Sequence, residues 1–217
     1  MNVLVINGSP RKNGNTATML NHAINGAKSE GATAELVNLY DLTFKGCVSC
    51  FACKRKDRNG SPRCFIKDEL SPVFEKFGKA DAIIIGSPIY VGHTTSSTWA
   101  FIERLLFPYV SYEEGIPTFF DRKISAGLIF TMGASEERVK VAGFDRVPAW
   151  TETIFKAVLG SGESISSVDT IQFDDYTKYA ASRFDPSKKE KIRNEQFPRD
   201  CAKAFDMGAR FAKESHD

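Results

Sequence analysis

Apolar residues along the chain fall into two alternating patterns, short unbroken runs and longer stretches in which they recur every three or four positions. Val3 to Ile6 is a Val/Leu/Ile run halted by Asn7-Gly8-Ser9-Pro10, which reads as a buried strand ending in a turn. From Asn15 onward, Met19, Leu20, Ala23, Ile24 and Ala27 share one helical face, and Gly31 supplies a stop. The same alternation continues with strands predicted at Ala34 to Leu39, Ala82 to Ile85, Ile124 to Phe130 and Ile165 to Phe173. Helices are expected from Ser71-Pro72, around Trp99 to Leu106, from Pro148, and around Cys201 to Phe211.

Five apolar strands alternating with helices predict an α/β domain, a doubly wound five-stranded parallel sheet with helices on both faces. With 42% hydrophobic residues and 17 Phe among 217 residues, one domain spanning 1–217 can bury a sizeable core. Two connections exceed the usual length: a Cys-rich excursion at 41–67 and a charged excursion at 174–195. The first is expected to be functional. The second, holding Asp185-Pro186-Ser187-Lys188-Lys189-Glu190-Lys191, reads as a solvated or interface excursion rather than a site.

Charge removes whole classes of function. Lys and Arg total 29 against 27 Asp and Glu, so the net charge of +2 suits neither a phosphate-tracking nucleic-acid binder nor an acidic disordered chain. No apolar run approaches the roughly 18 residues of a membrane span, and the start lacks the pattern of an export signal. A soluble, cytoplasmic protein is expected, with no nucleic-acid or membrane partner. The five cysteines are too few, and odd in number, for a secreted disulfide scaffold.

Ligands of an open parallel sheet bind beyond the carboxyl ends of its strands. The first such loop, Gly8-Ser9-Pro10-Arg11-Lys12-Asn13-Gly14-Asn15-Thr16, combines glycines, side-chain donors and a helix N-terminus, all of which favour an anion. Five residues separate its glycines and Asn15-Thr16 follow, which departs from the Walker loop; a dinucleotide fingerprint is absent too. A mononucleotide monophosphate is the better fit. At the third strand, a flat ring can lie against Pro88, Ile89 and Tyr90 while amides from Tyr90 to His93 bond its polar edge. The fourth strand ends in Thr131-Met132-Gly133-Ala134-Ser135.

Gly8-Ser9-Pro10-Arg11, then Gly14-Asn15-Thr16, then Ser87-Pro88-Ile89-Tyr90 resemble the NAD(P)H-dependent FMN reductases of the flavodoxin-like superfamily. The resemblance implies that Ser9, Arg11, Asn15 and Thr16 hold the FMN phosphate. It implies that Pro88, Ile89, Tyr90, Val91 and Gly92 contact the isoalloxazine, and that Thr131, Met132, Gly133 and Ala134 close over it. NAD(P)H would be the co-substrate and a small molecule the electron acceptor, in a homo-oligomer.

Cys47, Cys50 and Cys53 follow at two-residue gaps, with a ten-residue gap before Cys64, and resemble the iron-sulfur flavoprotein branch of the same superfamily. Three thiolates so spaced, with a remote fourth, can ligate a [4Fe-4S] cluster. The gap before Cys64 is longer than is usual in that branch, and its insert Lys54 to Gly60 is basic. Zinc and unliganded redox-sensing thiols stand as alternatives. Cys201 and the Trp99 and Phe101 face read as core; His93 reads as a hydrogen-bonded loop residue, Tyr90 as a border of the pocket, and His22 and His216 carry no role.

The expected chemistry is hydride transfer from NAD(P)H to flavin, which requires no dedicated acid-base pair, so no catalytic side chain is assigned. No Gly-x-Ser-x-Gly or His-Glu-x-x-His motif supports hydrolysis. Two rivals remain: an electron carrier, with a redox protein partner when a cluster is present, and a redox or metal sensor built on the cysteines.

Overall fold

The computed structural model describes residues 1–57 and 62–214. Arg58, Asn59 and Gly60 of the basic insert and His216 lie outside the described residues. In chain order the elements are β1 (Asn2–Asn7), α1 (Asn15–Ser29), β2 (Thr33–Asn38), α2 (Ser71–Gly78), β3 (Ala82–Tyr90), β4 (His93–Thr94) and α3 (Ser96–Leu106). There follow β5 (Ser125–Thr131), α4 (Glu136–Ala142), α5 (Arg146–Leu159), β6 (Glu163–Ser167) and α6 (Pro186–Phe211).

Five strands pair in parallel in the order β2-β1-β3-β5-β6, and the two-residue β4 folds back antiparallel on β3. This is the flavodoxin-like winding, with its switch point between β1 and β3, so a crevice is expected beyond their carboxyl ends. Alternation along β1 sorts the core into two layers. Leu4 and Ile6 join Phe101, Leu105 and Phe155 on one face, whereas Val3 and Val5 join Met19, Leu20, Phe197 and Met207 on the other. Each such side chain taken fully out of water contributes about 1.5–3 kcal/mol.

Helices α1 and α6 approach until backbone meets backbone. A Cβ on Gly26 would stand 2.0 Å from the Phe205 carbonyl oxygen, and one on Gly208 would stand 1.9 Å from that of Ala23. Only glycine fits at both positions.

Three features differ from the sequence expectation. β6 stops at Ser167 rather than running to Phe173, because Asp169 adopts a left-handed conformation with φ of 55°. Helix α6 begins at Pro186, so the second half of the charged excursion is helical; Asp185 caps it, its Oδ1 accepting from the Ser187 and Lys188 amides at 2.9 and 3.3 Å. It then runs through Pro198 to Phe211. Helix α4 is an addition, capped by Ser135 and ended by Gly143 at φ of 70°.

Candidate functional site

The loops after β1, β3, β5 and β6 enclose a cleft of about 1050 Å³. Ten of the expected flavin residues line it: Ser9, Arg11, Asn15, Thr16, Pro88, Ile89, Tyr90, Thr131, Met132 and Gly133. At the end of β1, Asn7 Oδ1 accepts from the Ser9 amide at 3.0 Å, a local bond that leads the chain out of the strand. Gly14 then stands at the N-cap of α1 with no side chain to cap it, and the first turn holds no acidic residue. First-turn amides and the positive end of the helix dipole therefore face the cleft without a competing side-chain acceptor.

The hydroxyls expected to bind phosphate are engaged within the protein. Ser9 Oγ accepts from the Arg11 amide at 3.1 Å, and Thr16 Oγ1 lies 2.8 Å from Thr131 Oγ1, which joins the first loop to the end of β5. Arg11 Nη1 donates to the Gln172 carbonyl at 2.6 Å, and Asn15 Nδ2 to that of Ile171 at 2.7 Å. Arg193 of α6 donates to Asn15 Oδ1 at 3.0 Å.

Val91, Gly92 and Ala134 do not line the cleft. Val91 and Gly92 form the tight turn between Tyr90 and His93, with φ of 52° and 79°, and the Val91 side chain stands fully in solvent. A Cβ on Gly92 would stand 3.2 Å from the edge of the Phe144 ring. Ala134 contributes its carbonyl, which accepts from the Asp169 amide at 2.8 Å. His93 is bonded through Nδ1 to Thr94 Oγ1 at 3.2 Å, edge-on to Trp99.

The segment from Thr170 to Tyr179 and residues Pro186, Glu190 and Arg193 form the far wall of the cleft. Sequence reading takes most of this stretch as an excursion away from any site. Its density of aromatic residues was an available signal: Phe173 and Tyr179 stack at 4.0 Å, and Tyr176 meets Phe173 edge-on at 5.2 Å. Lys189, buried beneath, donates to the Gly133 carbonyl and pairs with Asp169.

All four clustered cysteines line a second, narrower recess on the α3 side of the sheet, with Phe51, Phe65, Ile66, Phe107 and Pro108. Ser49 and Phe51, between the cysteines, both take positive φ of 53°, and this winding directs Cys47, Cys50 and Cys53 to one recess. Helix α3 holds the loop at several points. Glu103 Oε2 accepts from the Cys47 amide at 3.2 Å, Arg104 Nε donates to Cys64 Sγ at 3.3 Å, and Lys54 Nζ donates to the Phe107, Pro108 and Val110 carbonyls. Burial pushes the Cys53 thiol above its ordinary pKa, only partly offset by Lys54. Among the described residues, no three His, Cys, Asp or Glu side chains are grouped to hold a single metal ion.

Residues 1–138 match the family described as NADPH-dependent FMN reductase. The chain belongs to that family. It is 34% identical over 104 residues to an iron-sulfur flavoprotein of Methanocaldococcus jannaschii, covering 48% of this chain and 51% of the relative. It is 39% identical over 104 residues to an iron-sulfur flavoprotein of Archaeoglobus fulgidus, covering 48% of each. The chain thus spans about half the length of the curated relatives it matches. Among solved structures, an NAD(P)H:quinone oxidoreductase from Methanothermobacter marburgensis superposes with a TM-score of 0.66 at 16% identity, over 100% of this chain and 99% of that one. An azoreductase from Bacillus anthracis gives 0.64 at 13% identity, over 97% of this chain and 100% of that one. At such identities the likeness speaks for the fold alone.

Within this chain the family match covers the loops after β1, β3 and β5, and all the residues that line the cysteine recess. The far wall of the cleft, from Thr170 to Arg193, lies beyond it. No helix among the described residues is long and apolar enough to cross a membrane.

Proposed function

We propose that the chain is an FMN-dependent oxidoreductase that takes electrons from NAD(P)H and delivers them to a small-molecule acceptor. The observation that carries this reading is the convergence of the uncapped α1 N-terminus, Arg11 and the Pro88-Ile89-Tyr90 edge on one cleft. FMN, when bound, supplies the ring that accepts hydride and passes electrons on. The protein's residues bind, orient and shield. Arg11, Asn15 and the first-turn amides of α1 hold the phosphate; Pro88, Ile89 and Tyr90 provide an apolar face for the ring; Met132 and Gly133 face it from the loop after β5. The bonds that Arg11 and Asn15 make to the Gln172 and Ile171 carbonyls keep the far wall against the phosphate end.

A second reading adds to the first. Four thiols meeting in one recess fit the donor set of a [4Fe-4S] cluster, held by Cys47, Cys50, Cys53 and Cys64, which would supply one-electron transfer. Helix α3 spans both sites: its cap Thr95 donates to the Gly8 carbonyl at 2.7 Å beside the cleft, and Arg104 reaches the recess about 14 Å further along the helix. In this reading electrons leave to a redox protein as well as to small acceptors. A cytoplasmic homo-oligomer suits both readings, with exposed Val141 and Trp150 available to a second copy.

Steady-state NAD(P)H oxidation by the FMN-loaded protein, with and without a quinone, tests the first reading. Turnover is expected; none with any acceptor rejects it. Iron and acid-labile sulfide measured on anaerobically purified and reconstituted protein test the second.

A further inference from the structure

Arg104 is the largest fully buried side chain among the described residues, and each of its N–H donors has a partner. Nη1 donates to the Lys45 carbonyl at 3.0 Å and to Asp68 Oδ2; Nη2 donates to Asp68 Oδ1 at 2.9 Å and to the Ile66 carbonyl at 3.3 Å; Nε donates to Cys64 Sγ at 3.3 Å. The Phe74 ring lies 5.5 Å from the guanidinium carbon. This accounts for all five donors that an arginine carries.

A buried ion pair is a poor means of gaining stability, since well-packed apolar residues of similar volume do as well or better. The arrangement has a different consequence. Asp68 takes the guanidinium in a fork, Lys45 and Ile66 fix its plane, and the remaining donor is left aimed at one sulfur. Lys45 precedes the first clustered cysteine and Ile66 follows the last, so the same side chain closes both ends of the cysteine loop on α3.

We propose that Arg104 is a positioning residue for the fourth ligand of the cysteine recess, holding Cys64 in place and tuning a bound cluster through an N–H···S hydrogen bond. The inference rests on the cluster reading. A donor on a ligand sulfur draws electron density from it and favours the reduced, more negative cluster, so the bond raises the reduction potential. The other three cysteines receive no such side-chain donor among the described residues.

Arg104→Lys, which keeps the positive charge and loses the Nε donor, is compared with wild type after anaerobic reconstitution. Iron and sulfide are assayed first, then the midpoint potential is read by EPR-monitored redox titration. The variant is expected to load less fully or to titrate at a lower potential than wild type. Full loading at an unchanged potential overturns the proposal. Should the variant not fold, wild-type protein with isotopically heavy nitrogen at arginine Nε is used alone. Pulsed EPR of its reduced cluster should show a coupling to that nitrogen, and absence of coupling overturns the proposal. Wild type that takes up no iron removes the cluster reading itself and this inference with it, an outcome distinct from a loaded cluster indifferent to Arg104.

Discussion

The Lys189 ammonium lies 2.6 Å from Asp169 Oδ1, and both side chains are buried. The same ammonium donates to the Gly133 and Thr170 carbonyls, so one cation ties α6 to the loops after β5 and β6. Its two partners are not equivalent. Asp169 retains Lys188 at 3.4 Å if Lys189 is lost, whereas Lys189 has only carbonyls if Asp169 is neutralised. Asp169→Asn keeps a residue tolerant of positive φ, so it isolates the charge. Removing one partner of a buried pair costs about 3–5 kcal/mol. Urea unfolding should place Asp169→Asn in that range and Lys189→Met below it; equal small losses would contradict this.

Gly133 sits under the far wall. A Cβ there would stand 1.6 Å from Gln172 Nε2, the end of a flexible side chain, so Gly133→Ala should displace Gln172 with little loss of stability. FMN affinity is expected to fall about tenfold, or about 1.4 kcal/mol, and the double variant Gly133→Ala/Gln172→Ala should recover most of it. Fluorescence titration with FMN reads both.

Of the groups of FMN, Arg11 is assigned to the phosphate, while its bond to the Gln172 carbonyl holds the far wall. Losing a charge-assisted hydrogen bond costs about 1.5–3 kcal/mol, so Arg11→Ala should weaken FMN by roughly 10- to 100-fold. Riboflavin, which has no phosphate, should bind wild type and variant equally. A matching loss for riboflavin would move Arg11 away from the phosphate.

Cys201 is buried in the α1/α6 layer, and burial pushes its thiol pKa up. The unfolded chain then loses that proton first as pH rises. The thiol's contribution is full below the unfolded value, about 8.5, and declines above it until the folded thiol itself titrates. The difference in unfolding free energy between wild type and Cys201→Ala should be flat up to about pH 8 and shrink at higher pH. A difference that stays flat into alkaline pH would refute the assignment.

Much of the cleft was legible because its chemistry is local. The Gly8 to Thr16 loop follows an unmistakable apolar strand and opens a periodic helix, and Pro88 to Tyr90 continue β3 directly. The far wall signalled itself only by its aromatic residues; its attachment was hidden because it reaches Arg11 and Asn15 through the backbone carbonyls of Gln172 and Ile171, which no side-chain pattern encodes. The first half of α6 was missed: the mixed charge of 185–195 reads as a solvated excursion, although Asp185-Pro186 is a cap followed by a first-turn proline, and the helix continues past Pro198 against α1. Arg104 looks like one charged residue on an otherwise apolar helix face; its link to Cys64, forty positions earlier, is tertiary.

The central claim is that the cleft holds FMN where NAD(P)H can reduce it. The most direct measurement is anaerobic rapid mixing of the FMN-loaded protein with NADPH or NADH while the oxidised-flavin absorbance is followed. Bleaching on mixing, reversed by added quinone, is the predicted result. Bound FMN that keeps its oxidised spectrum with both nucleotides would contradict the account.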